Sequence, residues 1–202
     1  MSADTVKVSR GRPKTLNRDH IIDVAMRAYW QEGAAGVSVN EICRKANVSK
    51  PGLYREFKNE DGLMQAVLVA YQNQMLTPIL QSLTTDAPFR QTLENLVSFV
   101  TQAQDNQAFP KGCLLVKMHE SRMRVGAATR EQIDRSHQQF LTAYEQWIER
   151  AKARGEFLAD LPSQFAASYV DTQVSSALSQ IARGEPHSNV KKTLLLAFSM
   201  LR

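Results

Sequence analysis

A chain of 202 residues, 43% hydrophobic and 22% charged, has an ordinary globular composition and can bury a good core in one or two domains. No run approaches the roughly 20 apolar residues of a membrane span, and the N-terminus lacks the apolar stretch of a secretory signal. Two cysteines, one in each half, make no disulfide framework; membrane and disulfide-stapled classes are excluded, and a reducing cytosol is expected.

The net charge of +5 is unevenly placed. Residues 1–58 hold 11 Lys+Arg against 6 Asp+Glu, whereas residues 59–202 hold 14 of each. Clustering of cations on one module is the footprint of phosphate binding, because each neutralised phosphate releases counterions. A solvated basic tail would give the same count.

Residues 1–17 read as a polar, flexible arm ending in Arg10, Arg12 and Lys14. Arg-Gly-Arg-Pro can lie in a narrow minor groove, where the negative potential draws Arg, or can serve only as a soluble leader. Residues 18–32 place Ile21, Ile22, Ala25, Ala28 and Tyr29 at helical spacing, and Gly33 and Gly36 end that helix.

Residues 38–58 predict a helix, a short turn and a second, basic helix. Ser38 and Glu41 form a capping box, and Val39, Ile42 and Ala46 give one apolar face. Asn47-Val48 breaks the pattern and Ser49 caps the second helix, where Pro51 is tolerated in the first turn. Leu53 and Phe57 point into the core, which leaves Lys50, Gly52, Tyr54, Arg55 and Lys58 on other sides. That arrangement suits a helix laid in the major groove of DNA.

Residues 61–83 predict a long helix broken near Pro78. Pro88 opens a helix with Leu93, Leu96, Val97 and Val100, and Pro110-Lys111-Gly112 precedes another over 113–123. Thr129 and Gln132 read as a second capping box. The helix it starts carries Ile133, His137, Phe140, Tyr144, Trp147 and Ala151 in one stripe and ends at Gly155. Pro162 opens a helix rich in small residues, and Gly184 and Pro186 separate it from a last helix with Val190, Leu194, Ala197, Phe198 and Leu201 on one face.

Ala25, Gly33, Ser38, Val39, Ile42, Ala46, Val48, Ser49, Gly52, Leu53, Tyr54, Phe57, Lys58 and Leu63 together resemble the DNA-binding domain of the TetR/AcrR family of bacterial regulators, over roughly residues 18–65. Pro51-Gly52 stands where the family more often has Gly or Ala followed by Thr, Ser or Ala, so a side-chain donor is missing from the groove-facing start. The resemblance implies an all-α protein: an N-terminal three-helix helix-turn-helix domain over 18–60, then a ligand-binding and dimerisation domain over 61–202. It also implies a homodimer through residues about 162–202. Dimers present two recognition helices about 34–36 Å apart to a palindrome.

The expected DNA-binding residues are Arg10, Arg12, Lys14, Ser38, Ser49, Lys50, Pro51, Gly52, Tyr54, Arg55 and Lys58. For an unknown small-molecule inducer, Phe99, Cys113, Met118, Phe140, Tyr144, Trp147, Tyr169 and Gln173 are candidates, since ligand pockets are mostly apolar with sparse polar groups. The same stripe also reads as plain core. Cys113, near a helix start and beside Lys111, reads either as a reactive thiol or as a small buried hydrophobe. His119 and Glu120 point to different sides of a helix, and His20, His137 and His187 are scattered. No zinc spacing, phosphate-binding Gly loop or nucleophile elbow is present, so no metal, cofactor or enzymatic activity is expected. The expected function is a sequence-specific, ligand-responsive repressor of transcription. A low-specificity DNA-organising protein with a helical dimer spacer is the alternative.

Overall fold

The computed structural model describes residues 16–102 and 110–201. Among them are ten α-helices and no strand: α1 (Arg18–Glu32), α2 (Val39–Ala46), α3 (Lys50–Phe57), α4 (Glu60–Tyr71), α5 (Thr77–Ser82), α6 (Phe89–Thr101), α7 (Leu114–Glu120), α8 (Ala127–Ala153), α9 (Ser163–Ala182) and α10 (His187–Phe198). None of them is long and apolar enough to cross a membrane. The arm residues Arg10, Arg12 and Lys14 lie outside the described residues.

The first four helices start by local chemistry. Asn17, Ser38, Ser49 and Asn59 each accept the backbone N–H three residues on, at 3.1, 3.2, 3.2 and 2.9 Å. Each bond satisfies one of the donors that a helix start leaves without a partner. The Ser38 capping box is only half made. Glu41 turns its carboxylate to Lys45, at 3.0 Å, instead of back to the cap. α6, α9 and α10 begin after Pro88, Pro162 and Pro186, with no side-chain cap.

α8 starts differently. Thr129 is not its cap, as the sequence suggested; the helix begins at Ala127, after Gly126. Its first N–H groups are taken by Asp61 of α4, 67 residues back in the chain: Ala128 N–H at 2.9 Å and Thr129 N–H at 3.0 Å. The Thr129 hydroxyl donates to the same carboxylate. A Cβ on Gly126 would lie 2.2 Å from the Asp61 carboxyl carbon, so only glycine lets the two elements approach this closely. Gln132, the other half of the expected capping box, donates to Ser136 at 3.3 Å instead.

The rod expected over 61–83 is interrupted as Pro78 requires, but by a π-helical segment, Gln72–Leu76, and not by a clean break. Proline lacks an N–H and crowds the preceding turn, and a widened turn upstream absorbs the misfit. Within that segment Gln72 is almost fully buried; it accepts from Ser136 and donates to Gln139, both of α8.

Two apolar cores result. The first joins α1–α4 with α7 and the start of α8, so it continues past the helix-turn-helix segment. The second joins α6, the later turns of α8, α9 and α10. Ile79, Phe140 and Leu178 pack against both. Met118 and Trp147, expected at a ligand site, are core residues: Met118 is fully buried in the first core, and Trp147 stacks on Phe89 in the second, with ring centroids 4.5 Å apart.

Burial works against ionisation of Asp61, yet the Thr129 hydroxyl and the Thr129 and Ala128 N–H groups outweigh it and hold the carboxyl below its usual range. A carboxyl whose folded value is depressed stabilises the fold fully above its unfolded value, near pH 4, and ceases to do so as the pH falls through the folded value. Asp61→Ala is expected to cost about 1–2 kcal/mol at neutral pH, the worth of a lost helix cap. Urea titrations between neutral and acidic pH should show the gap between variant and wild type closing below about pH 4.

Candidate nucleic-acid interface and ligand cavity

α2 and α3 are joined through Asn47, which sits in the left-handed region (φ 55°, ψ 47°), a conformation asparagine tolerates. The Val48 N–H reaches back to the Cys43 carbonyl at 3.0 Å and closes the end of α2. Leu53 and Phe57 are buried, and Leu53 is fully so. Lys50, Pro51, Arg55 and Lys58 are exposed, and Tyr54 is half-buried. The sequence placed Gly52 away from the core, but it is buried. A Cβ there would meet the Ser49 hydroxyl at 3.0 Å and a Leu16 methyl at 3.3 Å, so Gly52 lets the chain before α1 close over the start of α3.

Ion pairing divides the cations of this domain. Arg18 pairs with Glu56 at 3.1 Å, Lys45 with Glu41 and Glu32 at 3.0 and 3.3 Å, and Arg44 approaches Glu41 at 3.8 Å. Lys50, Arg55 and Lys58 have no carboxylate partner among the described residues. Lys50 lies over the Tyr54 ring at 5.7 Å. The unpaired charge is therefore concentrated on and just after α3, where phosphates can take it.

Lys58 has φ 67° and ψ −56°, and the Asn59 N–H donates to the Phe57 carbonyl at 2.8 Å. This is a γ-turn with a non-glycine residue at its centre, a strained geometry. It reverses the chain between α3 and α4 and leaves the Lys58 side chain exposed beside Arg55.

A cavity of about 470 Å³ lies between the two cores. Four of the expected ligand residues line it: Phe99, Cys113, Phe140 and Tyr144. Tyr169 does not; its hydroxyl donates to the Ala197 carbonyl at 2.9 Å and ties α9 to α10. Gln173 lies on α9 outside the lining, as do the core residues Met118 and Trp147. The wall includes residues not foreseen from the sequence, above all Trp30 of α1 and Tyr71 of α4, whose rings meet edge to face at 5.0 Å. The Trp30 indole donates to the Gly112 carbonyl at 3.1 Å.

The histidines that look scattered in sequence are gathered here. His119 and His137 stand with ring centroids 5.3 Å apart, His137 Nε2 lies 2.9 Å from Asp171 Oδ2, and His187 lines the same cavity. The i, i+4 stripe on α8 signalled His137, but Asp171 reaches it from another helix, a pairing no local pattern reveals. Among the described residues no group of three or more His, Cys, Asp or Glu could hold a metal ion.

Cys113 is buried, with its sulfur 3.3 Å from the Tyr71 hydroxyl. Burial pushes the thiol up, and the Tyr71 hydroxyl, nearby N–H groups and Lys117 do not offset it. The helix start therefore does not make Cys113 a thiolate.

A three-helix head with an exposed basic recognition helix, on an all-helical body enclosing a cavity, defines a helix-turn-helix regulator. Residues 21–67 match the model of the bacterial regulatory proteins of the tetR family, a match that supports a TetR/AcrR family transcriptional regulator. The chain is 30% identical over 116 residues to the HTH-type transcriptional repressor ComR of Escherichia coli K12, a match covering 57% of this chain and 55% of that protein. It thus spans little more than half of that relative's length. Over 93% of both chains it is 19% identical to the repressor DhaR of a Mycobacterium species. Among solved structures, CifR in complex with operator DNA superposes with a TM-score of 0.82 at 21% identity, over 95% of this chain and all of that one. Reduced E. coli NemR gives 0.77 at 16%, over 92% and 97%. At such identities the superpositions show the shared fold.

The strain at Lys58 gives a direct test of the turn. Lys58→Gly should be about 1 kcal/mol more stable than Lys58→Ala, because both lose the charge and only glycine takes a positive φ without penalty. Urea denaturation of the two variants measures the difference, and equal stability would mean that the turn relaxes in place.

Proposed function

We propose that this regulator is a repressor that binds a palindromic operator as a homodimer and releases it when a small molecule occupies the cavity. The observation that carries the reading is the outer side of α3: Lys50, Arg55 and Lys58 are exposed and unpaired by any described carboxylate, whereas Arg18 and Lys45 behind them are held in ion pairs. Lys50 near the helix start would reach a base edge, and Arg55, Lys58 and Tyr54 would hold phosphates. Ser38, Ser49 and Pro51 at the two helix starts would sit against the backbone. In support, ComR and DhaR are named as repressors, and CifR was solved on a 26 bp operator duplex.

Sequencing of genomic fragments retained by the purified protein at physiological salt tests the DNA reading. A few sites sharing an imperfect palindrome are expected. Arg55→Ala should weaken all fragments alike and lower the salt slope by about 0.9 for each phosphate that is no longer neutralised. Unselective recovery would favour a DNA-organising role instead.

The dimer reading rests on what the last two helices leave outside. Of the apolar stripe of the last helix named from the sequence, Val190, Leu194, Phe198 and Leu201 are buried within the monomer and Ala197 is half-buried. The faces left open carry Phe165, Leu196 and Met200, exposed by 62, 73 and 73%. Exposed Ser168, Thr172 and Ser176 continue the α9 face and permit close backbone approach. Phe165→Glu with Leu196→Glu should turn a dimer into a monomer in light scattering at micromolar concentration. A wild-type monomer would refute the reading.

Release would follow from differential affinity, since a ligand shifts an equilibrium only by binding one conformation better than the other. The cavity is placed to do this: Trp30 belongs to α1 of the DNA-binding head, and Tyr71 ends α4.

A further inference from the structure

Tyr144 stands in the cavity wall only 1% exposed, and no hydrogen bond joins its hydroxyl to any described residue. Three of the neighbouring polar groups are already matched. The Tyr71 hydroxyl donates to the Cys113 sulfur and lies 3.4 Å from the Leu114 N–H, the Trp30 indole is bound to Gly112, and His137 is bound to Asp171. Unlike the Tyr29 hydroxyl and the Trp147 indole, which are sealed in the cores without a partner, the Tyr144 hydroxyl is not closed off from the cavity, where a ligand can supply its acceptor.

Burial, reinforced by the Asp171 charge, pushes the Tyr144 phenol far above its usual value, so it remains protonated and offers a proton. The rest of the wall favours an uncharged guest. Trp30, Tyr71 and Phe140 present aromatic surface. An anionic group would meet the carboxylates of Asp171 and Glu120 with Lys111 as the one permanent cation of the wall, the imidazoles of His119 and His187 answering it only when protonated, and a cationic group would compete with His137 for Asp171.

Resting on the reading of this cavity as the ligand site, we infer that it takes an uncharged, largely apolar, aryl-bearing compound with one hydrogen-bond-accepting oxygen, of the ketone or ester class, held by the Tyr144 hydroxyl. A volume of about 470 Å³ lies within the range of pockets that enclose drug-sized ligands.

The test is calorimetric titration of the full chain with two matched pairs: benzophenone against diphenylmethane, and benzylacetone against butylbenzene. Within each pair the apolar frame is nearly constant and only one member has the carbonyl. Wild type should bind each ketone about two- to tenfold tighter than its hydrocarbon, as one neutral hydrogen bond gives. Tyr144→Phe should erase that preference, leave hydrocarbon affinity unchanged and melt like wild type, since no bond within the protein is removed. The carboxylate para-benzoylbenzoate should bind more weakly than benzophenone. Ketone and hydrocarbon binding equally, or a preference that survives Tyr144→Phe, would overturn the oxygen contact while leaving the cavity a ligand site. Tight binding of para-benzoylbenzoate would overturn the uncharged class. Failure of all four neutral compounds to bind would overturn the ligand-site reading together with this inference.

Discussion

The Asp61 carboxylate at the head of α8 is the interaction on which the arrangement of the two parts depends. α8 has 27 residues, so it runs about 40 Å. It is the longest helix, and it reaches both cores. No residue next to its start can satisfy its first N–H groups. The partner comes from α4, one turn after the recognition helix ends, and the absence of a Cβ on Gly126 makes room for it. A single carboxylate thus caps α8 and ties it to the first turn of the helix that follows the recognition helix.

Charge in the head is arranged by the same economy of position. Glu32 and Glu41 hold Lys45, and Glu56 holds Arg18, on the sides where α1, α2 and α3 meet. Beyond those pairs, Lys50, Arg55 and Lys58 stand exposed without a carboxylate among the described residues. Surface pairs of this sort contribute little stability. Their effect here is to concentrate unneutralised charge on one helix face, which raises the local potential without a large net charge on the body.

The head was legible in sequence because its information is local. Caps at Ser38 and Ser49 act over three residues, and Ile42, Ala46, Leu53 and Phe57 repeat at the helical period. Gly52 misleads because periodicity on α3 alone cannot see Leu16 closing over it. The body was legible as helices and breaks, with Pro88, Pro162 and Pro186 before α6, α9 and α10. Its site was only half legible. Phe140 and Tyr144 share one stripe with Trp147, and nothing in that stripe says where core ends and cavity begins. Thr129 and Gln132 have the spacing of a capping box, but the true cap lies 68 residues away from Thr129. Asp171 meets His137, and Trp30 meets Tyr71, only once the helices are assembled.

α4 is held to α8 at both ends. Asp61 fixes its first turn, and Gln72, just past its last residue, fixes the other end through Ser136 and Gln139. Between these points the rod has no break; the π-helical turn that would yield most easily comes after it. That turn forms part of the cavity wall through Met75 and Leu76, next to Tyr71. Bending α4 alone would break one of the two attachments and leave buried amide or N–H groups without partners, which is costly. Moving α4 and α8 together preserves both. A displacement of α4 that keeps both attachments would therefore have to carry α8 with it, and α4 is joined to the end of the recognition helix through the strained turn at Lys58.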